Sequence, residues 1–278
     1  MQPSFLSRSK STDDPIGVFD SGIGGLTVAK ALKTVLPNES LVYFGDTAHL
    51  PYGEKSKASL QAYVIKSIDF LLEQNAKLIL IACNSASAAA FELAQAYVGS
   101  RVRVVNVIDP IVEYISQKFD NQDIGLIGTR QTVHSRVYEH KLAARNPTVK
   151  LHALATPLLA GMIEEGFFNN SISQQIVAEY LQNFASKPIK GLVLACTHYP
   201  LIKKEIEAFL GVGVEVIDAS GIVAEAVRKA LVSESICRNA TKPAQDFFFV
   251  SDFTESFAAT TRIFFGEAVQ LALYKLWE

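Results

Sequence analysis

Two cysteines occupy matching places in the sequence, each at the end of an apolar run that is typical of a buried strand. Cys83 ends LILIAC and Cys196 ends GLVLAC. A single buried cysteine is usually a small apolar packing residue, but packing explains poorly why two have the same placement. A helix is expected just beyond each cysteine, and a helix N-terminus favours the thiolate form. The pair is therefore a candidate for acid–base or nucleophilic chemistry.

The residues after both cysteines are polar. Asn84 and Ser85 follow the first cysteine, and Thr197 and His198 follow the second. A histidine two residues from a thiol can exchange a proton with it or hold a negatively charged ligand group. One such pair alone would predict a cysteine hydrolase or acyltransferase, but that chemistry leaves the other cysteine unexplained.

Two thiols that face each other suit proton transfer on opposite faces of one carbon. In racemisation, one thiolate removes the α-proton and the opposite thiol delivers a proton to the other face. The two roles swap for the reverse direction. A thiol has an ordinary pKa of about 8.5, so both of its forms are accessible once neighbouring groups adjust it. The residue types therefore favour a racemase over a hydrolase.

A glycine-rich turn follows the first apolar run, in the segment IGVFDSGIGGLTV. Asp20 and Ser21 begin this turn, and its glycines let backbone amides approach a ligand closely. The helix N-terminus beyond it favours an anion, and the short turn suits a carboxylate better than a pyrophosphate. A second loop, FGDTAHLPYGEKS, places Tyr52 and Gly53 where the wall or lid of a pocket is expected.

Short apolar runs alternate with amphipathic segments from residue 16 onward, and this alternation predicts the fold. Continuously apolar strands separated by helices indicate an α/β protein with two similar domains, whose mainly parallel sheets are flanked by helices. Ligands of such sheets bind beyond the carboxyl ends of the strands, which is where both cysteines fall. The candidate strands are 16–19, 41–45, 77–83, 103–108, 124–128, 149–155, 191–196, 214–218 and 247–251.

Composition excludes several classes of protein. The chain has 278 residues, of which 49% are hydrophobic and 19% charged, so a sizeable core is expected. A net charge of −2 gives no electrostatic reason to expect nucleic acid or a membrane surface as partner. Three cysteines without zinc spacing predict neither a disulfide framework nor a metal site, and favour a reducing cytoplasm. No apolar run reaches the ~18 residues of a membrane span, and the polar residues 1–14 are expected to form a flexible leader.

Four motifs together carry a resemblance to a known family. FDSGIGGLTV, FGDTAHLPYGEKS, ACNSAS and ACTHYPLI, in this order, resemble the glutamate racemases, and the resemblance covers nearly the whole chain after residue 14. It implies an enzyme that interconverts L- and D-glutamate without cofactor or metal and supplies D-glutamate for peptidoglycan synthesis. It also implies a cytoplasmic protein that forms a homodimer.

The resemblance further implies roles for individual residues. Cys83 and Cys196 correspond to the two catalytic acid–bases, with Asp20 assisting the first and His198 assisting the second. Substrate contacts are implied for Asp20, Ser21, Tyr52, Gly53, Asn84, Ser85, Thr197 and His198.

One further catalytic residue and two departures from the family pattern also follow from the resemblance. Glu164, in MIEEG, corresponds to the family's glutamate near the second cysteine, although Glu165 beside it leaves the register open. Ser85 stands where the family usually has threonine, which keeps the hydroxyl and loses a methyl group. Ala195 stands where the family often has glycine. Neither change affects a group that transfers a proton.

The family topology implies that the active site lies in a cleft between two domains. Cys83 would lie on one wall and Cys196 on the other. The implied domains are 15–108 plus 218–278 for the first and 109–217 for the second.

Two alternative functions stay open at this stage. The protein could be a racemase for aspartate or another amino acid, because the motifs do not reveal the depth of the pocket. It could also be a non-catalytic amino-acid-binding protein on the same scaffold, although binding alone gives no reason for thiols on both walls.

Overall fold

A computed structural model describes residues 10–239, 243–253 and 261–278. Of the predicted leader, residues 1–9 lie outside the described residues. Residues 10–14 lie against the rest of the chain, where the Lys77 ammonium donates to the Thr12 carbonyl at 2.6 Å. The same ammonium forms a buried ion pair with Glu39 at 2.6 Å.

Strands and helices alternate along the described chain. The strands are β1 (Ile16–Asp20), β2 (Leu41–Gly45), β3 (Leu78–Ile81), β4 (Arg103–Asn106), β5 (Asp123–Gly128), β6 (Lys150–Ala155), β7 (Ile189–Ala195), β8 (Glu215–Asp218), β9 (Phe247–Val250) and β10 (Leu271–Leu273). The helices are α1 (Leu26–Val35), α2 (Lys57–Glu73), α3 (Asn84–Val98), α4 (Ile108–Lys118), α5 (Arg130–His134), α6 (Val137–Arg145), α7 (Pro157–Glu164), α8 (Ser171–Leu181), α9 (Lys203–Leu210) and α10 (Ala219–Ser233). Residues 261–265 are also helical.

The strands form two sheets. The first has the order β10-β9-β2-β1-β3-β4 and the second the order β6-β5-β7-β8. Every strand pair in the described part of the chain is parallel. The predicted α/β class with two mainly parallel sheets is therefore confirmed. The strand β10 was not predicted, because it has three residues, none of them buried, and so lacks the apolar signal of the others.

Alternation of side chains along the strands builds a core on both faces of the first sheet. Val18 and Tyr43 pack on one face against the apolar residues of α1 and α10. Phe19 and Phe44, one position further along each strand, pack on the opposite face against α2 and α3. A parallel sheet that is covered on both faces requires strands that are apolar at every position, which explains the continuous apolar runs in the sequence.

Several helix starts are fixed by local side-chain caps. Ser56 accepts the amide of Ser59 at the start of α2, and Asn170 forms a capping box with Ser173 at the start of α8. Such caps satisfy backbone donors that the helix itself leaves unpaired.

The carboxyl ends of the two sheets face each other. The hydroxyl of Thr27, at the start of α1, donates to the carbonyl of Thr197 at 3.0 Å and so joins the first sheet's glycine turn to the second sheet. Residues from the turns that follow β1, β3, β5 and β7 line one cavity. No helix among the described residues is long and apolar enough to cross a membrane.

Candidate active site

A cavity of about 290 Å³ lies between the carboxyl ends of the two sheets. This volume is at the small end of the range for ligand pockets and suits a compact substrate. Both cysteines line it. The other predicted site residues that line it are Ser21, Tyr52, Gly53, Asn84, Ser85, Glu164, Thr197 and His198.

Cys83 lies at the first wall of this cavity, as the N-cap residue of α3. The thiol is buried, and burial together with the charge of Asp20 raises its pKa to about 12. The hydroxyl of Ser21 and the backbone amide of Ala86 act in the opposite direction. The helix N-terminus therefore favours the thiolate as expected, but burial outweighs it, and Cys83 is a thiol at neutral pH.

Asp20 lies behind the cavity wall, at the end of β1, and is fully buried. Its Oδ2 accepts the amides of Gly22 and Gly25 at 3.1 and 2.9 Å. Its Oδ1 has no hydrogen-bond partner among the described residues. Burial raises the pKa of Asp20, while His198 and the two amides lower it. The orphaned oxygen is a buried acceptor that a positively charged ligand group could satisfy.

Cys196 and His198 form a close pair on the opposite wall. Sγ of Cys196 lies 3.6 Å from Nδ1 of His198, and both side chains are buried. The expected helix does not start directly after the cysteine, because a 3₁₀ turn, Tyr199–Ile202, precedes α9. The group placed to form a hydrogen bond with Cys196 is therefore the His198 imidazole and not the N-terminus of α9.

Glu164 lies on the far side of the His198 ring. Oε1 of Glu164 lies 2.8 Å from Nε2 of His198, which is close enough for an ion pair. The N–H of Nε2 does not point at this oxygen well enough to form a hydrogen bond. Burial lowers the pKa of His198, but the interactions with Cys196 and Glu164 outweigh burial and hold that pKa well above its ordinary range. The imidazole is therefore protonated at neutral pH, between the sulfur of Cys196 and the carboxylate of Glu164.

The end of α7 places the two adjacent glutamates differently. Glu164 is the last residue of this helix and lines the cavity. Glu165 is its C-cap residue and its side chain is exposed. The residue that contacts His198 is the one that the family resemblance indicated.

Comparison with known proteins agrees with this arrangement. The model of the Asp/Glu/hydantoin racemase family matches residues 26–227. A glutamate racemase of Chlorobaculum tepidum is 37% identical over 256 residues, which cover 92% of this chain and 94% of the relative. The chain belongs to the Asp/Glu/hydantoin racemase family. The resemblance drawn from the four motifs is therefore confirmed.

Solved structures of racemases share the fold over nearly the full length. The glutamate racemase of Francisella tularensis in complex with D-glutamate has a TM-score of 0.90 and 36% identity, and the match covers 96% of this chain and 99% of that one. The glutamate racemase isoform RacE1 of Bacillus anthracis has a TM-score of 0.89 and 31% identity, covering 95% and 98%. Both support the fold of two parallel sheets flanked by helices.

Two polar residues beside Cys83, Asn84 and Ser85, form hydrogen bonds with residues that belong to the second sheet's side of the cavity. The Tyr138 hydroxyl of α6 donates to Oδ1 of Asn84 at 2.7 Å, and burial raises the pKa of Tyr138, so it stays a donor. The Ser85 hydroxyl shares a hydrogen bond of 2.8 Å with the Thr129 hydroxyl at the start of α5. Neither Tyr138 nor Thr129 was predicted, because their sequence neighbourhood gives no sign of a contact with residues 54 and 44 positions away.

The loop after β2 forms the third side of the cavity. Tyr52 is buried, and its hydroxyl donates to Oδ2 of Asp46 at 2.7 Å. A Cβ atom on Gly53 would lie 2.8 Å from Cβ of Thr129, which is closer than packed atoms come. The glycine therefore allows the loop to approach the second sheet.

Other parts of the described chain offer less for catalysis. A larger cavity of about 620 Å³ between α3, β4, α4 and α10 contains neither cysteine nor histidine. Among the described residues, no group of three or more histidine, cysteine or acidic side chains could hold a metal ion. The third cysteine, Cys237, does not line the racemase cavity.

Proposed function

We propose that the protein is a glutamate racemase that transfers the α-proton between Cys83 and Cys196 without a cofactor. The observation that carries the proposal is that the two thiols come from different sheets and line one small cavity. A hydrolase would need one thiol and one base, whereas inversion at a carbon needs a proton donor and a proton acceptor on opposite faces.

The protonation states of Cys83 and His198 suit one direction of this reaction at neutral pH. Cys83 carries its proton and can act as the acid, because burial and Asp20 raise its pKa. Cys196 acts as the base, and the positive charge of His198, 3.6 Å away, stabilises the thiolate that it needs. The Cα–H bond breaks toward Cys196, and the Cys83 proton forms the new C–H bond.

In the reverse direction Cys83 must lose its proton before it can act as the base. The negative charge of Asp20 opposes that loss. A substrate ammonium group beside the unpartnered Oδ1 of Asp20 would offset this charge, since opposite charges at short distance favour the ionised form of a neighbour. We propose this role for Asp20, and assign to Glu164 the task of keeping His198 protonated.

The proposed substrate is glutamate, for two reasons. Relatives with 34–38% identity over most of the chain are named glutamate racemases, and one similar structure is named as a complex with D-glutamate. Structures named as aspartate racemases or their homologues share only 17–19% identity and indicate the fold alone. We assign substrate contacts to Ser21, Tyr52, Gly53, Asn84, Ser85, Thr197 and His198, as the family resemblance implies.

The resemblance supports four finer proposals. The domains are proposed to be 15–108 plus 218–278 and 109–217. The protein is proposed to act in the cytoplasm, as a homodimer, and to supply D-glutamate for peptidoglycan.

The decisive experiment is incubation of the purified protein with L-glutamate in D₂O without added cofactor. We expect D-glutamate to form and deuterium to enter at Cα. The same measurement with L-aspartate tests the alternative substrate. Glutamate binding by calorimetry, with no isomer formed and no exchange, would support the binding-protein alternative instead.

Variants of the three cysteines test the two-thiol mechanism. Cys83→Ser and Cys196→Ser should each reduce racemisation by at least about a hundredfold, because a serine hydroxyl is a poor acid–base at neutral pH. Cys237→Ser is the matched control and should keep full activity. Full activity in either cavity variant would remove that thiol from the mechanism.

A further inference from the structure

The carboxylate of Asp46 is the centre of a buried hydrogen-bond network beside the cavity. Asp46 follows β2 directly and is fully buried. Its Oδ1 accepts the Ser251 hydroxyl at 2.7 Å and the Trp277 indole N–H at 2.8 Å. Its Oδ2 accepts the Tyr52 hydroxyl at 2.7 Å and lies 2.9 Å from Nδ1 of His49. Asp46 itself does not line the cavity.

The outer end of this network is formed by the last residues of the chain. The ring of Trp277 meets His49 edge-on, with 4.3 Å between ring centroids, and the Lys66 ammonium lies 4.8 Å above the indole. His49 in turn stacks on Tyr63 of α2 at 4.0 Å. These contacts place Trp277 against the loop that carries Asp46 and Tyr52.

The inner end of the network is Tyr52, which lines the cavity. The described residues give its hydroxyl one hydrogen-bond partner, Oδ2 of Asp46, and its ring packs near Phe19 and Tyr63. Movement of the Asp46 carboxylate would therefore move the Tyr52 hydroxyl and the adjoining Gly53. A buried hydrogen-bond network of this kind holds its members in one arrangement.

We propose that Asp46 is a positioning residue for the substrate cavity, and that Trp277 sets the position of Asp46 from the outer side. The proposal rests on the proposed glutamate racemase activity. It assigns to the end of the chain an effect on substrate binding, although Trp277 does not line the cavity.

Trp277 is the single tryptophan of the chain, so its fluorescence reports on the network directly. Titration with glutamate should change this fluorescence in the wild-type protein, with a midpoint near the KM for racemisation. Tyr52→Phe keeps the ring but removes the hydroxyl that connects the cavity to Asp46, and should abolish most of the change. No change in the wild-type protein, or an equal change in Tyr52→Phe, would overturn the proposal.

Kinetics of the outer residue provide the second test. Trp277→Phe keeps an aromatic ring but loses the N–H donor, and the loss of one such hydrogen bond should raise KM about fivefold while kcat changes less than about twofold. Lys275→Ala is the matched control, since Glu278 at the exposed surface is the one ion-pair partner that Lys275 has among the described residues. An unchanged KM in Trp277→Phe would contradict the proposal.

The central residue is tested by Asp46→Asn, which keeps the shape but replaces one acceptor oxygen by a donor. We expect KM to rise by about tenfold or more, because Tyr52 or Trp277 loses its acceptor. If this variant does not fold, Trp277→Phe still decides the matter.

Two outcomes distinguish failure of the proposed activity from failure of the network proposal. A wild-type protein that binds glutamate with a fluorescence change but forms no D-isomer would contradict the proposed activity and still support the role of the network in binding. Racemisation by the wild-type protein, with an unchanged KM in Trp277→Phe, would contradict only the proposed role of the network.

Discussion

Cys83 and His198 are both buried, yet different neighbours determine their protonation. Burial and the charge of Asp20 act together on Cys83 and raise its pKa to about 12. For His198, burial acts against the charged form, but Cys196 and Glu164 outweigh it and raise the pKa. At neutral pH the two walls of the cavity therefore carry a neutral thiol and an imidazolium. This asymmetry can be tested one residue at a time.

The first prediction concerns the influence of Asp20 on Cys83. Alkylation by iodoacetamide requires the thiolate, so its rate at Cys83 should rise about tenfold per pH unit between pH 7 and pH 10. Asp20→Asn removes a negative charge that raises the pKa of Cys83. The pKa should fall, and alkylation at pH 8 should become about tenfold faster, as measured by mass spectrometry of the Cys83 peptide.

The Cys237 peptide provides an internal control in the same sample. Cys237 lies outside the cavity, so Asp20→Asn should not change its alkylation rate. Racemisation by the variant should fall even though its Cys83 thiol is more reactive. A slower alkylation of Cys83 in Asp20→Asn would show that Asp20 does not oppose the thiolate.

The second prediction compares the two adjacent glutamates. Glu164→Gln removes the charge 2.8 Å from His198, which lowers the pKa of His198, so its proton is lost at lower pH. We expect kcat at pH 8 to fall about tenfold or more and the alkaline limb of the pH–rate profile to move to lower pH. Steady-state kinetics over a range of pH measure both effects.

Glu165→Gln is the control for this prediction. Glu165 has an exposed side chain, so its variant should keep the wild-type rate and pH profile. Equal changes in kcat and pH profile in the two variants would mean that the loss of a negative charge at the end of α7, rather than the contact with His198, causes the effect.

Several residues that line the cavity were predicted from the sequence, because they lie at the ends of apolar runs and carry groups that could do chemistry. Both cysteines, Asn84 and His198 were found in this way. Thr129 also follows an apolar run directly, but its turn carries no cysteine or histidine to mark it as part of a site. Tyr138 lies within a helix and acquires its role only through contact with α3. The choice between two adjacent glutamates also needed the structure, because one position on a helix end changes the side chain's direction by about 100°.

At the scale of elements, the site is built from turns at the carboxyl ends of parallel strands. These turns could be located from the sequence because fully buried strands give long apolar runs. The helix expected just beyond Cys196 is preceded by a 3₁₀ turn that contains Pro200, because proline suits such a turn as well as the first turn of an α-helix. How α5 and α6 reach across to α3 could not be predicted, as it depends on the packing of the two sheets.

The third prediction tests this contact between helices. Tyr138→Phe removes the hydroxyl of α6 that donates to Asn84 of α3, leaving a buried acceptor without its donor. The free energy of unfolding should fall by about 1–3 kcal/mol, and kcat/KM should fall because Asn84 is no longer held at the cavity wall. Chemical denaturation and steady-state kinetics check the two effects.

Tyr97→Phe is a suitable control because it removes a hydroxyl from α3 itself at an exposed position, where Tyr97 donates to Asp69. Its effect on stability should be within about 0.5 kcal/mol, with no effect on kinetics. Wild-type kinetics in Tyr138→Phe would mean that Asn84 does not depend on α6.

At the scale of the whole molecule, the proposed two-thiol mechanism requires the two sheets to approach each other closely. Hydrogen bonds between residues up to 170 positions apart in sequence join the two walls, as between Thr27 and Thr197. Local sequence patterns carry no information about such a distance. One close approach is at Gly24, where the glycine turn of the first sheet lies directly against Thr197 and His198 of the second.

The fourth prediction uses this contact. A Cβ atom on Gly24 would lie 2.5 Å from Nδ1 of His198 and 2.6 Å from the Thr197 hydroxyl oxygen, and the buried His198 ring has little room to move. Gly24→Ala should therefore separate the walls and lower kcat by about a hundredfold or more, since proton transfer depends steeply on the geometry of the reacting groups.

Gly221→Ala is the control for this prediction. Gly221 lies within α10, and no atom is close to the position of the added methyl group. This variant should be slightly more stable than the wild-type protein and fully active. If Gly24→Ala racemises glutamate at the wild-type rate, the cleft must tolerate separation of its walls, and the two thiols cannot require the close approach described above.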